Sequence, residues 1–436
     1  MGKHSSSIAV RMVSASGALF AVATFFLTVL CASRAEAIPA FSREYKTECT
    51  TCHTVFPQRN EFGQAFEENG FVWPGAVPMS KKVKVSQTEE ERKSAEYIKL
   101  SGIPAVLPLS VALNISYLYD EKAEDSFDMK RYSAEIFGAG AFGGNRIGFW
   151  YNQGLGSQSG GPEAPSQLYF VARELFGAPV NVKAGKFQPN VSIWRGSDHL
   201  IGRPLSIGYS VGSSPNATPL STAQNGLELT SVLASRVFVA VGMNDRNNAP
   251  AGTAEKPISS NSVNDFYGRV SAKIGGSDYH GAEPEIDLDK DSVWDYLYVT
   301  FGGFGYSGST STGDGVNNDL TRYGVEAGAG YKKLLLMTGY TIGENNPTAK
   351  TTVDSSAWSA EVNYVFNPMF ALALRYDAVA VDGKDDRTVI TPGILWAPMQ
   401  SFKFGLRVAV DSNPTNANTG KAVEKTTATL TASMVF

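Results

Sequence analysis

The stretch Leu107-Pro108-Leu109-Ser110-Val111-Ala112-Leu113-Asn114-Ile115-Ser116-Tyr117-Leu118-Tyr119 carries an apolar or aromatic side chain at every odd position, with Ser110, Asn114 and Ser116 between them. Successive side chains of an extended chain point to opposite faces, so this spacing predicts a strand with one greasy face. Phe402, Phe404, Leu406, Val408 and Val410 repeat the pattern against Lys403, Gly405, Arg407 and Asp411. Phe370, Leu372, Leu374 and Tyr376 repeat it again.

Beyond residue 100 the chain turns to Gly, Tyr, Phe, Val and Thr, and sixteen strands are predicted. They fall near 107–119, 127–142, 145–153, 167–176, 179–187, 226–233, 237–243, 265–274, 294–306, 321–331, 333–343, 356–366, 369–380, 387–396, 401–411 and 425–436. A soluble sandwich also alternates, so periodicity alone places no strand in a membrane. Connection length discriminates, because outer-membrane barrels use tight turns on the periplasmic side and longer loops outside. Connections after odd-numbered strands are mostly long and polar, as at 154–166, 188–225 and 244–264. Those after even-numbered strands are short, as at Gly143-Gly144, Gly177-Ala178, Lys332 and Asn367-Pro368, with one long exception at 275–293. The chain stops on Phe436 after Leu430, Ala432 and Met434 at alternate positions, the kind of aromatic last strand that outer-membrane assembly machinery reads. The fold class expected is an all-β transmembrane barrel of sixteen antiparallel strands, set in outer-membrane lipid and wide enough to keep a lumen.

Residues 1–37 have the layout of a secretory signal peptide: Lys3 and Arg11, then an apolar core from Gly17 to Cys31, then Ala35-Glu36-Ala37 as a small-x-small cleavage site. Leu30 stands where lipid attachment at Cys31 wants a small residue, so Cys31 is expected to leave with the peptide. Removing Lys3, Arg11, Arg34 and Glu36 leaves 35 basic against 41 acidic residues. That mildly acidic balance argues against nucleic acid as a partner. The expected location is the outer membrane of a Gram-negative bacterium.

After cleavage the only cysteines stand in Cys49-Thr50-Thr51-Cys52-His53, the C-x-x-C-H pattern of c-type haem attachment. Two thiols serve the two vinyl groups of the porphyrin, and the adjacent imidazole supplies the proximal nitrogen to iron. A zinc site needs two further ligands close by, whereas His199 and His280 are far away in sequence. A thioredoxin-like motif needs a βαβ context, and none surrounds Cys49. One covalent haem c is therefore expected on a small α-helical c-type cytochrome segment at 38–80. A charged linker at 81–103 and a porin-like barrel at 104–436 would follow.

The run Ala37-Ile38-Pro39-Ala40-Phe41-Ser42-Arg43-Glu44-Tyr45, the C-x-x-C-H motif, then Val55-Phe56-Pro57, Asn60, Phe62-Gly63, Phe66 and Asn69-Gly70-Phe71 resembles the start of the fused outer-membrane cytochrome–porins. The resemblance covers roughly residues 37–73 and rests on architecture beyond them. It implies a monohaem domain ahead of a porin-like barrel and electron transfer across the outer membrane. The best-known members of that family oxidise Fe(II) at the cell surface, so the resemblance implies an electron-transfer oxidoreductase of Fe(II):cytochrome c type, with extracellular Fe(II) or another metal outside and a periplasmic c-type cytochrome as partner. A reductive conduit and a solute porin with a haem-bearing plug are the alternatives.

Pro57 is expected to start a helix with Phe62, Ala65 and Phe66 on one face and Gly70 as its stop, so that Phe56, Phe62, Phe66 and Phe71 wall the porphyrin. The distal ligand is open between Met79, in Val77-Pro78-Met79, and His199, in the connection after the fifth strand, where general porins fold a loop inward; an unfilled sixth position is the third reading. By the same analogy Trp194 and Arg195 would reach into the lumen. Asp120, Glu121, Glu124 and Asp125 in the first outer loop suit divalent cations, and Glu283, Glu285, Asp287, Asp289 and Asp291, beside His280, suit a basic periplasmic carrier.

Overall fold

Among the described residues, sixteen antiparallel strands close into one barrel. They are β1 (Leu109–Asp120), β2 (Phe127–Phe142), β3 (Ile147–Ser157), β4 (Gln167–Ala172), β5 (Val180–Phe187), β6 (Gln224–Leu233), β7 (Val237–Asp245), β8 (Asp265–Ile274), β9 (Leu297–Ser311), β10 (Asn317–Tyr331), β11 (Leu334–Pro347), β12 (Val353–Asn367), β13 (Phe370–Val381), β14 (Arg387–Met399), β15 (Phe402–Ser412) and β16 (Lys425–Val435). Each pairs with its sequence neighbours, and β16 closes on β1 from Thr427↔Asp120 to Val435↔Ala112. Closure leaves no free edge, which is what a sheet needs where no water is available to its backbone.

This computed structural model describes residues 41, 45, 47, 49–55, 58–73, 109–120, 127–142, 145–157, 166–194, 200–202, 204–208, 220–245, 265–281, 297–311, 317–347, 351–399, 401–412 and 425–435. All belong to one structural unit, Pro39–Phe436. The expected signal peptide, the charged linker, Met79, His199, Arg195, Phe56 and Pro57, Glu121 to Asp125 and the acidic run 283–291 lie outside them.

Alternation sorts every strand into a lipid face and a lumen face. On β13, Leu372 and Leu374 are exposed while Ala371, Ala373, Arg375 and Asp377 are buried. Val362, Leu374, Ile394, Leu406 and Leu430 continue an outward apolar belt. Tyr364, Phe366 and Trp396 flank it toward the short turns, and Trp358, Tyr340 and Tyr323 toward the long connections. An apolar band between two aromatic girdles is the lipid-facing surface of an outer-membrane barrel. Among the described residues no helix is long and apolar enough to cross a membrane.

The strand count and the parity of the connections match the sequence-based expectation, including the long inner exception, now bounded at 275–296. β2 and β8 coincide with their predicted limits. β9 to β12 run further outward than predicted, through Ser311, Asn317, Pro347 and Val353. Those tips are rich in Ser, Thr, Asn and Asp, so the ladder continues where the hydrophobic alternation of the sequence has stopped. β4 ends at Ala172 rather than 176, because the chain turns at Leu175–Gly177 with positive φ at Glu174 and Phe176. Leu374→Arg, placed at the middle of the belt, should destabilise the barrel by about 2–4 kcal/mol. The urea midpoint of unfolding from phospholipid vesicles measures it, and an unchanged midpoint would contradict a lipid-facing position.

Candidate functional site: a plug seated in the lumen

Cys49–Thr51 make one turn of 3-10 helix, closed by the Cys52 N–H donating to the Cys49 carbonyl at 3.2 Å. His53–Val55 then pairs with Gln58–Arg59 in a minimal hairpin. Asn60 joins this motif to helix α1 (Glu61–Glu68): its N–H donates to the Cys52 carbonyl, its side-chain amide donates to the Thr51 carbonyl at 3.0 Å, and its Oδ1 accepts from the Gly63 N–H at 2.9 Å. Asn60, not Pro57, therefore opens the helix, because an amide oxygen satisfies an N–H that proline at the predicted start could not. A Cβ on Gly63 would lie 2.1 Å from the Cys52 carbonyl oxygen, so only glycine lets the helix rest on the motif. Gly70, at φ 65°, ends it as predicted, with its N–H and that of Phe71 returning to Glu67 and Phe66.

Cys49, Cys52 and His53 are half-buried, and no disulfide joins the two cysteines. Burial, then the neighbouring Cys49, pushes the Cys52 thiol up to about 12. A thiol so held is not the thiolate that dithiol exchange requires. Among the described residues no group of three or more His, Cys, Asp and Glu is arranged to hold a metal ion.

Phe41, Tyr45, Phe62, Phe66, Phe71 and Trp73 form an aromatic cluster about α1. Phe41 meets Phe66 edge-on at 4.8 Å, Tyr45 meets Trp73 at 5.1 Å and Phe62 meets Trp73 at 5.0 Å. The cluster continues into the barrel wall, where Phe71 stacks on Trp150 at 5.5 Å and lies 6.4 Å from Tyr169.

This small unit sits inside the barrel at its short-turn end. Glu61 faces Lys273 of β8 at 3.4 Å and accepts the Ser277 N–H at 3.0 Å. Burial is the largest influence on Glu61 and holds its carboxyl above the usual range, against the pull of Lys273, the Ser277 N–H and Arg236. Arg173 donates to Asn69 Oδ1 at 2.7 Å, Asn181 to the Glu68 carbonyl at 3.4 Å and Asn190 to the Glu68 carboxylate at 3.3 Å. Gly148 packs so close that a Cβ there would lie 2.1 Å from the Gly70 carbonyl oxygen. Val55 completes the seat, in an apolar cluster with Leu200, Leu335, Val365 and Ala371.

The connection after β5 also folds inward. Its backbone N–H groups are taken by wall side chains in turn: Asn190 by Glu228 at 3.0 Å, Ile193 by Glu326 at 2.7 Å, Leu200 by Glu361 at 3.4 Å, Leu205 by Asp377 at 2.9 Å and Ser206 by the Ser359 hydroxyl at 2.9 Å. Each of those carboxylates also meets a wall cation: Lys183 for Glu228 at 2.7 Å, Arg269 for Glu326 at 2.7 Å, Arg375 for Asp377 at 2.7 Å and for Glu361 at 3.4 Å. Trp194 is buried in the lumen against Gly339 of the wall.

Sequence reasoning found the motif, α1 and the inward connection. It missed Trp73, which the aromatic run after the motif would have revealed. It also missed Trp150, Tyr169, Arg173 and Lys273, which are separated from the plug by long stretches of chain and carry no local signal.

No family model matches the chain, and no curated protein matches it by sequence. Its structure is similar to that of an anion-selective porin from Comamonas acidovorans, at TM-score 0.54 and 12% identity over 75% of this chain and 98% of the porin. It is also similar to the outer membrane channel DcaP of Acinetobacter baumannii, at TM-score 0.50 and 11% identity over 76% of this chain and 97% of that one. A loop L8 deletion mutant of OmpT, an outer membrane protein of Vibrio cholerae, is similar at TM-score 0.50 and 11% identity over 75% and 98%.

Glu61→Ala should leave the Lys273 ammonium buried without its counter-charge and loosen the plug by about 3–5 kcal/mol. Limited proteolysis of the folded protein should then cut the N-terminal segment faster. Glu61→Ala with Lys273→Met should restore part of the protection. The sixteen strands and the inward connection together give this chain the fold of the outer-membrane porins.

Proposed function

We propose that the protein is an outer-membrane porin whose inner mouth holds a haem-bearing plug. The observation that carries this reading is the seating of the C-x-x-C-H unit inside the barrel, with α1 fixed to the wall through Glu61, Glu68, Asn69 and Phe71. The likeness to porins supports a channel protein first, and a solute porin whose plug is its gate is the reading it favours.

The motif supports the second reading, one-electron transfer through the plug. The residues fit a covalent c-type haem: two cysteines outside any disulfide stand at either end of one hydrogen-bonded turn, with the histidine next in the chain and aromatic rings packed about the adjoining helix. Cys49 and Cys52 would hold the vinyl carbons and His53 the iron. Bound there, the haem supplies a one-electron Fe(III)/Fe(II) couple. The plug's aromatic cluster would keep water from it, which tunes its potential. In the direction taken by the best-known cytochrome–porins, extracellular Fe(II) would be oxidised and the electron would leave to a periplasmic cytochrome.

Reconstituted vesicles with the long connections outward and a redox dye enclosed separate the readings. Electron transfer predicts that external Fe(II) reduces the dye while enclosed sugars stay in, and that Cys49→Ser with Cys52→Ser slows dye reduction at least about tenfold, a barrier change near 1.4 kcal/mol. Sugar efflux with no dye reduction would leave the solute porin alone. Absence of haem-linked absorbance from the wild-type band on a denaturing gel would remove the haem from both.

A further inference from the structure

The lumen is covered unevenly. From β10 to β14 inward side chains such as Arg322, Glu326, Thr341, Glu361, Asp377 and Thr391 are buried under the plug and the inward connection. On β1 to β3, with Thr431 of β16 beside them, inward residues at the outer and middle levels are only half-buried: Asn114, Ser116, Ser133, Glu135 and Asn152, whereas Thr429 is buried and Arg407 of β15 donates to the Ile201 carbonyl of the inward connection at 3.0 Å. Their shared face is fixed by contacts across the arc, Asn114 to Ser133 at 3.3 Å, Ser116 to Thr431 at 3.2 Å and Asn152 to Glu135 at 3.4 Å. Toward the short turns the arc closes. Ser110 and Ala139 are 2% exposed and Ser433 3%, Gly148 lies under the Gly70 carbonyl, and Trp150 is stacked on Phe71.

We infer that this arc bounds a vestibule, open outward and closed inward, that admits small hydrophilic solutes, hydrated divalent cations among them, down to the plug's aromatic wall at Trp150 and Phe71. Its lining on β1 to β3 is hydroxyl and amide groups with the Glu135 carboxylate at mid-depth, Arg407 of β15 borders it where it meets the inward connection, and Asp120 at the top is paired with Lys425. Hydroxyl and amide groups hydrogen-bond the water shell of an ion without displacing it, so divalent cations enter hydrated. The inference deepens the proposed function and rests on it for its purpose. Electron tunnelling falls exponentially with distance, so one centre at the inner mouth does not reach a donor beyond an apolar band about 25 Å tall. The donor has to come down the barrel, and the vestibule is its way in.

Substituted cysteines test this on the full-length protein in oriented vesicles, with a charged, membrane-impermeant methanethiosulfonate and the wild type as background for Cys49 and Cys52. Ser116→Cys and Ser133→Cys should react from the long-connection side at least about tenfold faster than Thr341→Cys, which is buried on the opposite wall. Reagent enclosed on the short-turn side should reach none of them at that rate. Equal rates for Ser116→Cys and Thr341→Cys would overturn the vestibule, and equally fast labelling of Ser116→Cys from both sides would overturn its closed end. The heat-dependent gel shift of a folded barrel checks each variant, and haem absorbance on the same samples is read independently. Loss of haem with labelling intact would therefore fail the proposed function and leave the vestibule standing.

Discussion

Every wall carboxylate that holds the inward connection does two jobs. Glu228, Glu326, Glu361 and Asp377 each meet a lysine or arginine of the wall and each accept a backbone N–H from the connection after β5. A charge removed from water without a partner costs several kcal/mol, and so does an unsatisfied backbone N–H. The wall therefore needs the connection to complete its carboxylates, and the connection needs the wall because the N–H groups of Asn190, Ile193, Leu200 and Leu205 are satisfied there. Shape follows the same logic: wall glycines stand where the connection's largest side chains arrive, Gly339 under Trp194, Gly328 near Ile193 and Gly393 against Ile201. Barrel and filling specify each other.

The plug depends on that arrangement at one remove. Asn190 gives its N–H to Glu228, its Oδ1 accepts from Arg269, and its side-chain amide donates to Glu68 on α1, so the first residues of the inward connection also fix the height of the plug. Among the described residues, a few polar bonds, the Glu61–Lys273 ion pair and an aromatic stack hold the plug, whereas a continuous ladder holds the barrel. Regions held by few bonds open first, so the plug is the part of this molecule that local opening releases before the strands part.

The barrel was legible because lipid imposes a rule on every strand: outward side chains must be apolar whatever the lumen contains. Leu372 and Leu374, or Phe404 and Leu406, declare that rule locally. Strand tips above the lipid, such as Asn317 to Leu320, obey no such rule and were underestimated. The plug was legible in its chemistry, through Cys49, Cys52 and His53, and in its helix, through Phe62, Phe66 and Gly70. Its seat was not, since Lys273, Arg173 and Trp150 meet it only after the barrel has closed. A lysine at an inward position of β8 reads like any lumenal charge until the segment around Glu61 arrives opposite it.

Porins and plugged barrels face opposite demands, since one must keep water continuous through the lumen and the other must interrupt it. This chain meets both by dividing the lumen by arc and by height. Against β10 to β14 inward side chains are buried from the outer level downward, while against β1 to β3 those of the upper half are half-buried and the plug covers those below. The division explains why the aromatic contacts of the plug gather on β3 and β4, at Trp150 and Tyr169, and its charged contact on β8, at Lys273. Apolar rings seal the side that would otherwise leak. The ion pair stands on the side already filled, where a low dielectric strengthens it.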